Sequence, residues 1–541
     1  MLLARKARCV ADSLHLCYRM KSMDIAGNRT LYSIFSAHAA RQPERDWLIY
    51  EREDRRVFRW TYGEFLASVH RAVNLLHALG SGPGDVVTLH LSNHPAYPQL
   101  LLAASYLGAS VMPSNPASTA DELGYLLEHS ESTLIFTEAT CLEVVRRVAG
   151  ARPVIVCQTS DEDSGAYPLY EAELDHQSAI PAPGAGTADS VIELLYTSGT
   201  TAKPKGVLLT NASFVYAAEV FRAGSGLRSE DRHLIALPLF HAGAQCHALW
   251  PSLIADASVA ILSRFSASRY FAQAAAYDCT MAALFGAALR MLLNQPERPS
   301  DRGHRLRNVT FAQNLTTSQY LAWHRRFGAP LQQLWGMTET CALPVMSPLT
   351  GERNLRAMGR PVVGYEVRVV DERGKEVPTG EAGELIVRGV PGRSLMRGYL
   401  KDPAATARAL RTLDDGTWLF SGDTVRADDA GFLYFVDRGR DLIKRAGENV
   451  SSTEVEGVLL DCPGVHDGCV VGVPDAVRDE AVVAVVVRQP GAALTADEVR
   501  AHCAERLAPF KVPERVVFVE ALPRTSVGKI QKQVVREWLA V

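Results

Sequence analysis

Apolar and polar positions follow two rhythms along the first two thirds of the chain. Apolar side chains recur at helical spacing from Phe65 to Leu76, which predicts a helix over 61–79 that ends at Gly80. Beyond this helix the patterns predict alternating strands and helices: strands at 86–91, 110–112 and 133–136, and helices at 98–107 and 120–127. Strands separated by helices indicate a parallel sheet with helices on both faces.

Past residue 191 the alternation of strands and helices resumes, and from about residue 355 the pattern changes to short strands. The second set of buried strands is predicted at 234–237, 259–262, 281–284 and 309–311. From about 355 to 437 short strands separated by Gly, Pro and Asp turns predict a β-rich subdomain. Strands mixed with helices then follow to the end of the chain, which is typical of a small α+β unit. The expected fold is therefore α/β: a large N-terminal domain of parallel-sheet subdomains with a β-rich subdomain, and a small, mobile C-terminal domain.

The domain limits follow from these changes of pattern. Residues 1–22 are rich in Arg, Lys and Ala, with Asp12 as the single acid, and Met23 precedes the first globular pattern. We interpret this segment as a non-globular extension, with a transit peptide as the alternative. The large domain is expected at 23–437 and the small domain at 438–541, with a hinge in the charged stretch between them.

Composition excludes several classes of protein. The 541 residues are 47% hydrophobic and 22% charged, with a formal net charge of −3. This balance is typical of a globular chain and offers no surplus of cations for nucleic acid. No run approaches the ~18 apolar residues of a membrane span. The ten cysteines are scattered, without CxxC pairs, as expected for a reducing cytoplasm.

Residues 196–206, Tyr-Thr-Ser-Gly-Thr-Thr-Ala-Lys-Pro-Lys-Gly, form the most informative segment. A loop this rich in Gly, Ser and Thr presents backbone N–H groups and hydroxyls to an anion, and Lys203 and Lys205 add positive charge. It lacks the glycine–lysine–hydroxyl triplet of the common phosphate-binding loop. Taken alone, such a segment is also a common turn between strands.

Four later segments favour the anion-binding interpretation over an ordinary turn. Residues 334–339 place an aromatic, a hydroxyl and a carboxylate after a buried strand, and 418–423 place Asp423 in a glycine turn. Two more segments add basic residues beside glycines, at 437–449 and 523–530. Each alone is compatible with an ordinary surface loop. The occurrence of all five in this order is not explained by ordinary surface loops.

The five segments resemble those of the adenylate-forming superfamily, which contains acyl-CoA synthetases, luciferases and the adenylation domains of peptide synthetases. The resemblance covers the chain from about Met23 to its end. Within the superfamily the chain is most similar to the carnitine/crotonobetaine-CoA ligases, through residues 443–451, 391–393 and 399–406. The resemblance implies a ligase that activates a carboxylic acid with ATP and Mg²⁺ to an acyl adenylate and then transfers the acyl group to coenzyme A.

The resemblance also implies roles for individual residues. ATP and AMP are expected to contact Thr197, Ser198, Gly199, Thr200, Thr201, Lys205, Trp335, Asp423 and Arg438. The catalytic residues are expected to be Lys529, Lys444, Thr338 and Glu339, of which Glu339 also binds the metal. Coenzyme A is expected along Lys444, Ala446 and Gly447, after rotation of the small domain at Arg440. The acyl pocket is expected at Phe240, His241, Gln313, Gly336 and Met337, although a lone histidine such as His241 is also common in protein cores.

This sequence departs from the common pattern at four places. Ala202 and Ala446 stand where a glycine is usual, Trp335 replaces a tyrosine, and 311–314 lack the usual Gly-Gly-Ala. Three alternatives therefore stay open: an enzyme that only transfers the acyl group of a pre-formed adenylate, an adenylation domain that loads a carrier protein, and a non-enzymatic acyl or nucleotide binder. The partner is expected to be a small carboxylic acid, with an upstream adenylating enzyme or a second copy of the chain left open.

Overall fold

The computed structural model describes residues 24–197, 203–312, 315–351, 354–438, 441–445, 448–475, 479–525 and 530–539. The predicted extension at 1–22 lies outside these ranges. In the part of the chain that they cover, no helix has the length and hydrophobicity needed to cross a membrane.

The first part of the chain alternates strands and helices as the pattern predicts. Its elements are α1 (Leu31–Arg41), β1 (Asp46–Glu51), β2 (Val57–Thr61), α2 (Tyr62–Ala78), β3 (Val86–His90), α3 (Ala96–Leu107), β4 (Ser110–Ser114), α4 (Ala120–Ser130), β5 (Leu134–Thr137), α5 (Leu142–Val148), β6 (Val154–Val156) and α6 (Tyr170–Asp175). A capping box starts α2, since Thr61 accepts from the backbone N–H of Glu64 and the Glu64 side chain accepts from that of Thr61. The apolar stripe from Phe65 to Leu76 is buried, which confirms the predicted helix.

The middle part continues the alternation. Its elements are β7 (Val191–Thr197), β8 (Lys205–Thr210), α7 (Asn211–Ser225), β9 (Arg232–Ile235), α8 (Ala242–Ala244), α9 (Trp250–Ile254), β10 (Ser258–Leu262), α10 (Tyr270–Ala276), β11 (Met281–Phe285), α11 (Gly286–Leu293), β12 (Asn308–Ala312), α12 (Thr317–Phe327), β13 (Leu331–Trp335), β14 (Val345–Met346) and β15 (Arg360–Pro361). Between α8 and α9 lies a π-helical turn, Gln245–Leu249.

These strands form two large sheets. One has the order β18-β8-β7-β4-β3-β5-β6, where β18 is the short strand Gly398–Tyr399, and β4, β3, β5 and β6 are parallel. The other has the order β15-β14-β13-β12-β11-β9-β10-β1-β2, and it is parallel from β13 to β1. Because the carboxyl ends of parallel strands meet at one edge, the segments after β9, β11, β12 and β13 lie together.

The β-rich region follows. Its elements are β16 (Glu366–Val370), β17 (Ala382–Arg388), β18 (Gly398–Tyr399), α13 (Pro403–Ala409), β19 (Leu410–Leu413), β20 (Gly416–Ala427) and β21 (Leu433–Arg438). Strands β16, β17, β20, β19 and β21 form an antiparallel sheet, while β18 joins β8 of the seven-stranded sheet. Asp423 lies within the long strand β20 and not in a separate turn, so the predicted glycine turn is wrong. Gly422, the residue before Asp423, has a φ of +72°, a left-handed conformation that glycine adopts without steric cost.

A fourth sheet contains the C-terminal part of the chain. Its elements are β22 (Leu442–Arg445), β23 (Glu448–Ser451), α14 (Ser452–Leu460), β24 (Val465–Asp475), β25 (Asp479–Arg488), α15 (Ala496–Ala504), β26 (Arg515–Phe518) and α16 (Lys532–Leu539). The strand order is β23-β22-β25-β24, and β26 pairs in parallel with β25. A separate core that includes Val455, Val470 and Val482 fills this unit. The expected fold class is confirmed, including the small α+β unit at the C-terminus.

Candidate active site

The segment that follows β13 places a buried carboxylate. A Cβ on Gly336 would lie 2.6 Å from the carbonyl oxygen of Ala342, so only glycine fits this turn. A single 3-10 turn, Thr338–Thr340, then carries Glu339, whose side chain is only 6% exposed. The hydroxyl of Tyr399 on β18 donates to Glu339 Oε1 over 2.8 Å. The carboxylate is therefore held between the two large sheets.

Tyr399 connects Glu339 to the strands that flank the predicted phosphate loop. The Lys205 Nζ atom lies 4.3 Å from the centre of the Tyr399 ring, and Lys205 is paired with Thr197 across β7 and β8. Burial and the Glu339 carboxylate raise the pKa of Tyr399, so the phenol stays protonated and able to donate. The sequence patterns did not predict Tyr399 as a site residue, because Glu339, to which it donates, is 60 residues away in the chain.

The predicted nucleoside residues come together at the end of β13. The indole N–H of Trp335 donates to Asp423 Oδ2 over 2.8 Å, and the two residues are 7% and 6% exposed. Across β20 and β21, Asp423 is paired with the backbone of Arg438. An aromatic face and an ordered carboxylate, separated by 88 residues in sequence, thus lie beside each other.

A patch of half-buried apolar side chains lies at the same edge of the nine-stranded sheet. Phe240 and His241 follow β9 with ring centres 4.5 Å apart, and Met337 follows β13. Phe285 ends β11, and a Cβ on Gly243 would lie 2.9 Å from its Cζ atom. The sequence patterns did not single out Phe285, although its place at the end of a buried strand is a usable signal.

Magnesium fits this site only as a companion of ATP. No group of three or more His, Cys, Asp and Glu side chains that would hold a metal occurs among the described residues. Mg²⁺ bound with a nucleotide needs only one or two carboxylates, since the phosphates and water supply its other ligands. Glu339, buried beside Lys205 and Tyr399, is suited to that role.

Several predicted site residues lie outside the described ranges. They are Ser198, Gly199, Thr200, Thr201, Gln313, Arg440, Ala446, Gly447 and Lys529. Of Lys444 and Arg438 the backbone alone is described, with Lys444 on β22 opposite Asn449. The roles predicted for these residues stay predictions.

Comparison with known proteins gives a consistent result over almost the whole chain. The family model of AMP-binding enzymes matches residues 35–400, and that of the AMP-binding enzyme C-terminal domain matches 454–529. A crotonobetaine/carnitine–CoA ligase of Salmonella paratyphi A is 32% identical over 517 residues, covering 94% of this chain and 99% of the relative. ATP-bound MatB from Rhodopseudomonas palustris superposes with a TM-score of 0.84 at 28% identity, covering 94% and 99% of the two chains. An anthranilate CoA ligase, AuaEII, in complex with anthranoyl-AMP has the same fold, with a TM-score of 0.87 at 23% identity and 96% and 99% coverage.

The chain therefore belongs to the AMP-binding enzyme family. It is an AMP-forming acid–CoA ligase, which activates a carboxylic acid with ATP and Mg²⁺ to an acyl adenylate and transfers the acyl group to coenzyme A. The predicted resemblance, enzyme class and co-substrates are confirmed.

Proposed function

We propose that this ligase activates an acid with an apolar, uncharged body. The observation that carries the proposal is the placement of three half-buried apolar side chains at the sheet edge where Trp335 ends β13: Phe240 follows β9, Phe285 ends β11 and Met337 follows β13. Apolar side chains left partly open at the carboxyl ends of parallel strands are typical of a small-molecule pocket. None of these three side chains carries a charge that would bind a second ionic group on the acid.

A betaine acid is the second candidate. Two of the three patch residues, Phe240 and Phe285, are aromatic, and aromatic faces attract quaternary ammonium groups. The relative from Salmonella is named for crotonobetaine and carnitine. A zwitterionic acid of this kind would use the same patch through its aromatic faces rather than through its apolar area.

A panel of acids with two leucine variants separates these candidates. The purified enzyme is given crotonic acid, benzoic acid and crotonobetaine with ATP and coenzyme A, and thioester is measured by mass spectrometry. Phe240→Leu and Phe285→Leu keep apolar area but remove the aromatic faces. An apolar acid should retain most of its rate in both variants, whereas a betaine should lose roughly tenfold. A preference for a dicarboxylic acid would refute both candidates.

In the first half-reaction we assign the binding of ATP to the two large sheets. Thr197, Lys205 and the loop at 198–201 would hold the β- and γ-phosphates, and Glu339 would bind the Mg²⁺ that accompanies them. Trp335 would lie against adenine, and Asp423 with Arg438 would hold the ribose hydroxyls. Lys529 would bridge the acyl carboxylate and the α-phosphate, where negative charge builds up as pyrophosphate leaves.

In the second half-reaction the small domain would turn at Arg440 and present Lys444, Ala446 and Gly447 to coenzyme A. The end of β21 at Arg438 and the start of a new sheet at Leu442 support domains at 23–437 and 438–541 with a hinge between them. A cytoplasmic location is supported by the eight described cysteines, which are all unpaired and buried.

Lys529→Ala tests the assignment of the two half-reactions. Adenylate formation should fall at least ~10²-fold, because the developing charge loses its cation. Thioester formation from supplied acyl adenylate should change little. Equal losses in both steps would contradict the proposed rotation, and an unchanged adenylation rate would contradict the role of Lys529.

A further inference from the structure

A buried carboxyl group lies behind the acyl patch and has no part in the roles assigned above. Glu193 on β7 is fully buried, and its Oε1 atom accepts a 2.6 Å hydrogen bond from Gln245 Nε2. The same Gln245 nitrogen donates to the carbonyl oxygen of Leu239 over 2.9 Å. The indole of Trp250 donates to Gln245 Oε1 over 3.2 Å. The Gln245 amide thus joins Glu193 to the segment 239–245, which carries Phe240 and His241.

A second buried side chain holds the same segment from its other end. Asn93, which follows β3, accepts from the backbone N–H of Leu239 over 2.7 Å. Its amide nitrogen donates to the carbonyl oxygens of Leu237 and Leu262, each over 3.0 Å. Glu193 lies in β7 and Asn93 follows β3, and both strands belong to the seven-stranded sheet, whereas the segment they hold follows β9 of the nine-stranded sheet. The segment that carries Phe240 and His241 is therefore held by side chains from the sheet whose strands β7 and β8 flank the predicted phosphate loop.

The backbone conformation at Gln245 increases the importance of its hydrogen bond to Glu193. Gln245 begins the π-helical turn Gln245–Leu249, a geometry that is less favourable than an α-helix and is common at functional sites. Deeply buried side-chain bonds of this kind are costly to leave unmade. Without the bond to Glu193, the turn would lose the partner that holds Gln245 against Leu239.

Burial favours the neutral form of the Glu193 carboxyl group. Burial raises its pKa to about 8, and its Oε2 atom has no hydrogen-bond partner among the described residues. The titratable groups that face it are Tyr97 on α3 and Cys246 in the π-helical turn. Burial raises the pKa of Tyr97, and a hydrogen bond with Cys341 together with burial raises the pKa of Cys246. A neutral carboxyl accepts from Gln245 without the cost of a buried charge.

We propose that Glu193 is a positioning residue for the acid substrate, which acts through Gln245 on the segment that carries Phe240 and His241. The inference rests on the proposed acyl role of that segment. It assigns Glu193 to recognition of the acid, although β7 leads from Glu193 towards the phosphate loop through Thr197. Loss of the Glu193 contact should therefore weaken binding of the acid and leave binding of ATP unchanged.

Kinetics of two variants at one position test this proposal. Glu193→Leu removes the acceptor and should raise KM for the acid roughly tenfold at pH 7, with KM for ATP within about twofold. Glu193→Gln keeps a carbonyl oxygen of the same reach and should stay within about threefold of the unmodified enzyme. Equal changes in the KM of acid and ATP, or an unchanged KM for the acid in Glu193→Leu, would overturn the proposal.

Two further variants keep the test decisive. If Glu193→Leu does not fold, Gln245→Met removes the same bond from the other side and should give the same split between acid and ATP. Phe240→Ala probes the acyl patch itself. A raised KM for the acid in Phe240→Ala without an effect in the Glu193 variants would overturn only the inference about Glu193, whereas no effect in Phe240→Ala would overturn the proposed acyl patch.

Discussion

The indole N–H of Trp335 donates to the carboxylate of Asp423 over 2.8 Å, which joins the end of a parallel strand to the β-rich sheet. The predicted adenine residue thus orients the predicted ribose residue. Both side chains are buried, so the bond is protected from water and should be stronger than a surface contact. This pair is a direct link between two parts of the proposed nucleotide site.

Trp335→Phe should raise KM for ATP roughly five- to tenfold, because the aromatic face is kept while Asp423 loses its donor. The measurement is ATP–pyrophosphate exchange at varied ATP. Trp323→Phe is a matched control, since Trp323 is also buried but donates to the Ala329 carbonyl. It should leave KM for ATP unchanged. An unchanged KM in Trp335→Phe would show that the bond does not order the ribose carboxylate.

Glu339→Gln should lower adenylation at least ~10²-fold at fixed Mg²⁺, with partial recovery as Mg²⁺ is raised, because a ligand charge is lost. Tyr399→Phe removes only the hydrogen bond to that carboxylate and should cost roughly three- to tenfold. The rates are measured across a Mg²⁺ titration. Tyr62→Phe, which removes the bond of a buried hydroxyl to the Ala257 carbonyl, is the control. Loss of activity that is independent of Mg²⁺ would argue against the metal role.

Hydrogen bonds that cross the predicted hinge provide a third test. Asp437 Oδ2 accepts from the backbone N–H of Ser452 over 2.7 Å and from its hydroxyl over 2.8 Å, and Lys532 donates to the same hydroxyl over 2.5 Å. Because residues 437 and 452 lie on opposite sides of Arg440, rotation there would break the two bonds to Asp437, whereas the Lys532 bond lies within the small domain. Ser452→Ala should therefore change the ratio of the two half-reaction rates about threefold or more.

Arg440→Pro fixes φ at the pivot and should slow one half-reaction much more than the other. Both rates are measured, one with free acid and ATP and the other with supplied acyl adenylate. A second proline variant such as Arg373→Pro is unsuitable as a control, because the backbone N–H of Arg373 donates to Asp371 Oδ1. Lys511→Ala is the better control, since it removes an exposed ion pair with Glu454 within the small unit. Normal rates in both steps of Arg440→Pro would place the hinge elsewhere.

Buried histidines should make the fold sensitive to mild acid. Burial lowers the pKa of His90 to about 4 and that of His94 and His233 to about 3. As the pH falls below 6.5, the unfolded chain binds protons that the folded chain does not, so stability is lost between about pH 6.5 and 4. The loss is up to about 1.4 kcal/mol per histidine per pH unit.

Urea unfolding at pH 7.5, 6.5 and 5.5 measures this effect. His233→Phe should flatten the dependence on pH, since His233 is fully buried and phenylalanine binds no proton. His77→Gln changes an exposed histidine and should leave the slope unchanged. Equal slopes in the unmodified protein and in His233→Phe would contradict the assignment to this histidine.

The sequence by itself determined the elements whose causes are local. The stripe from Phe65 to Leu76 and the capping box at Thr61 fix α2, because both act within a few residues of chain. The order of the motifs likewise determined the family. Predictions for residues such as Lys529 and Arg440 rest on motif alone, since they lie outside the described ranges.

Only the tertiary structure decided which of these segments meet. Tyr399 contacts Glu339, Asp423 contacts Trp335 and Gln245 contacts Glu193 across 60, 88 and 52 residues of chain. Each pair joins different elements, and such partners depend on how strands assemble into sheets. No pattern within a short window carries that information, because hydrophobic burial favours the sheets as a whole while each buried polar group takes the partner that the assembled sheets bring within reach.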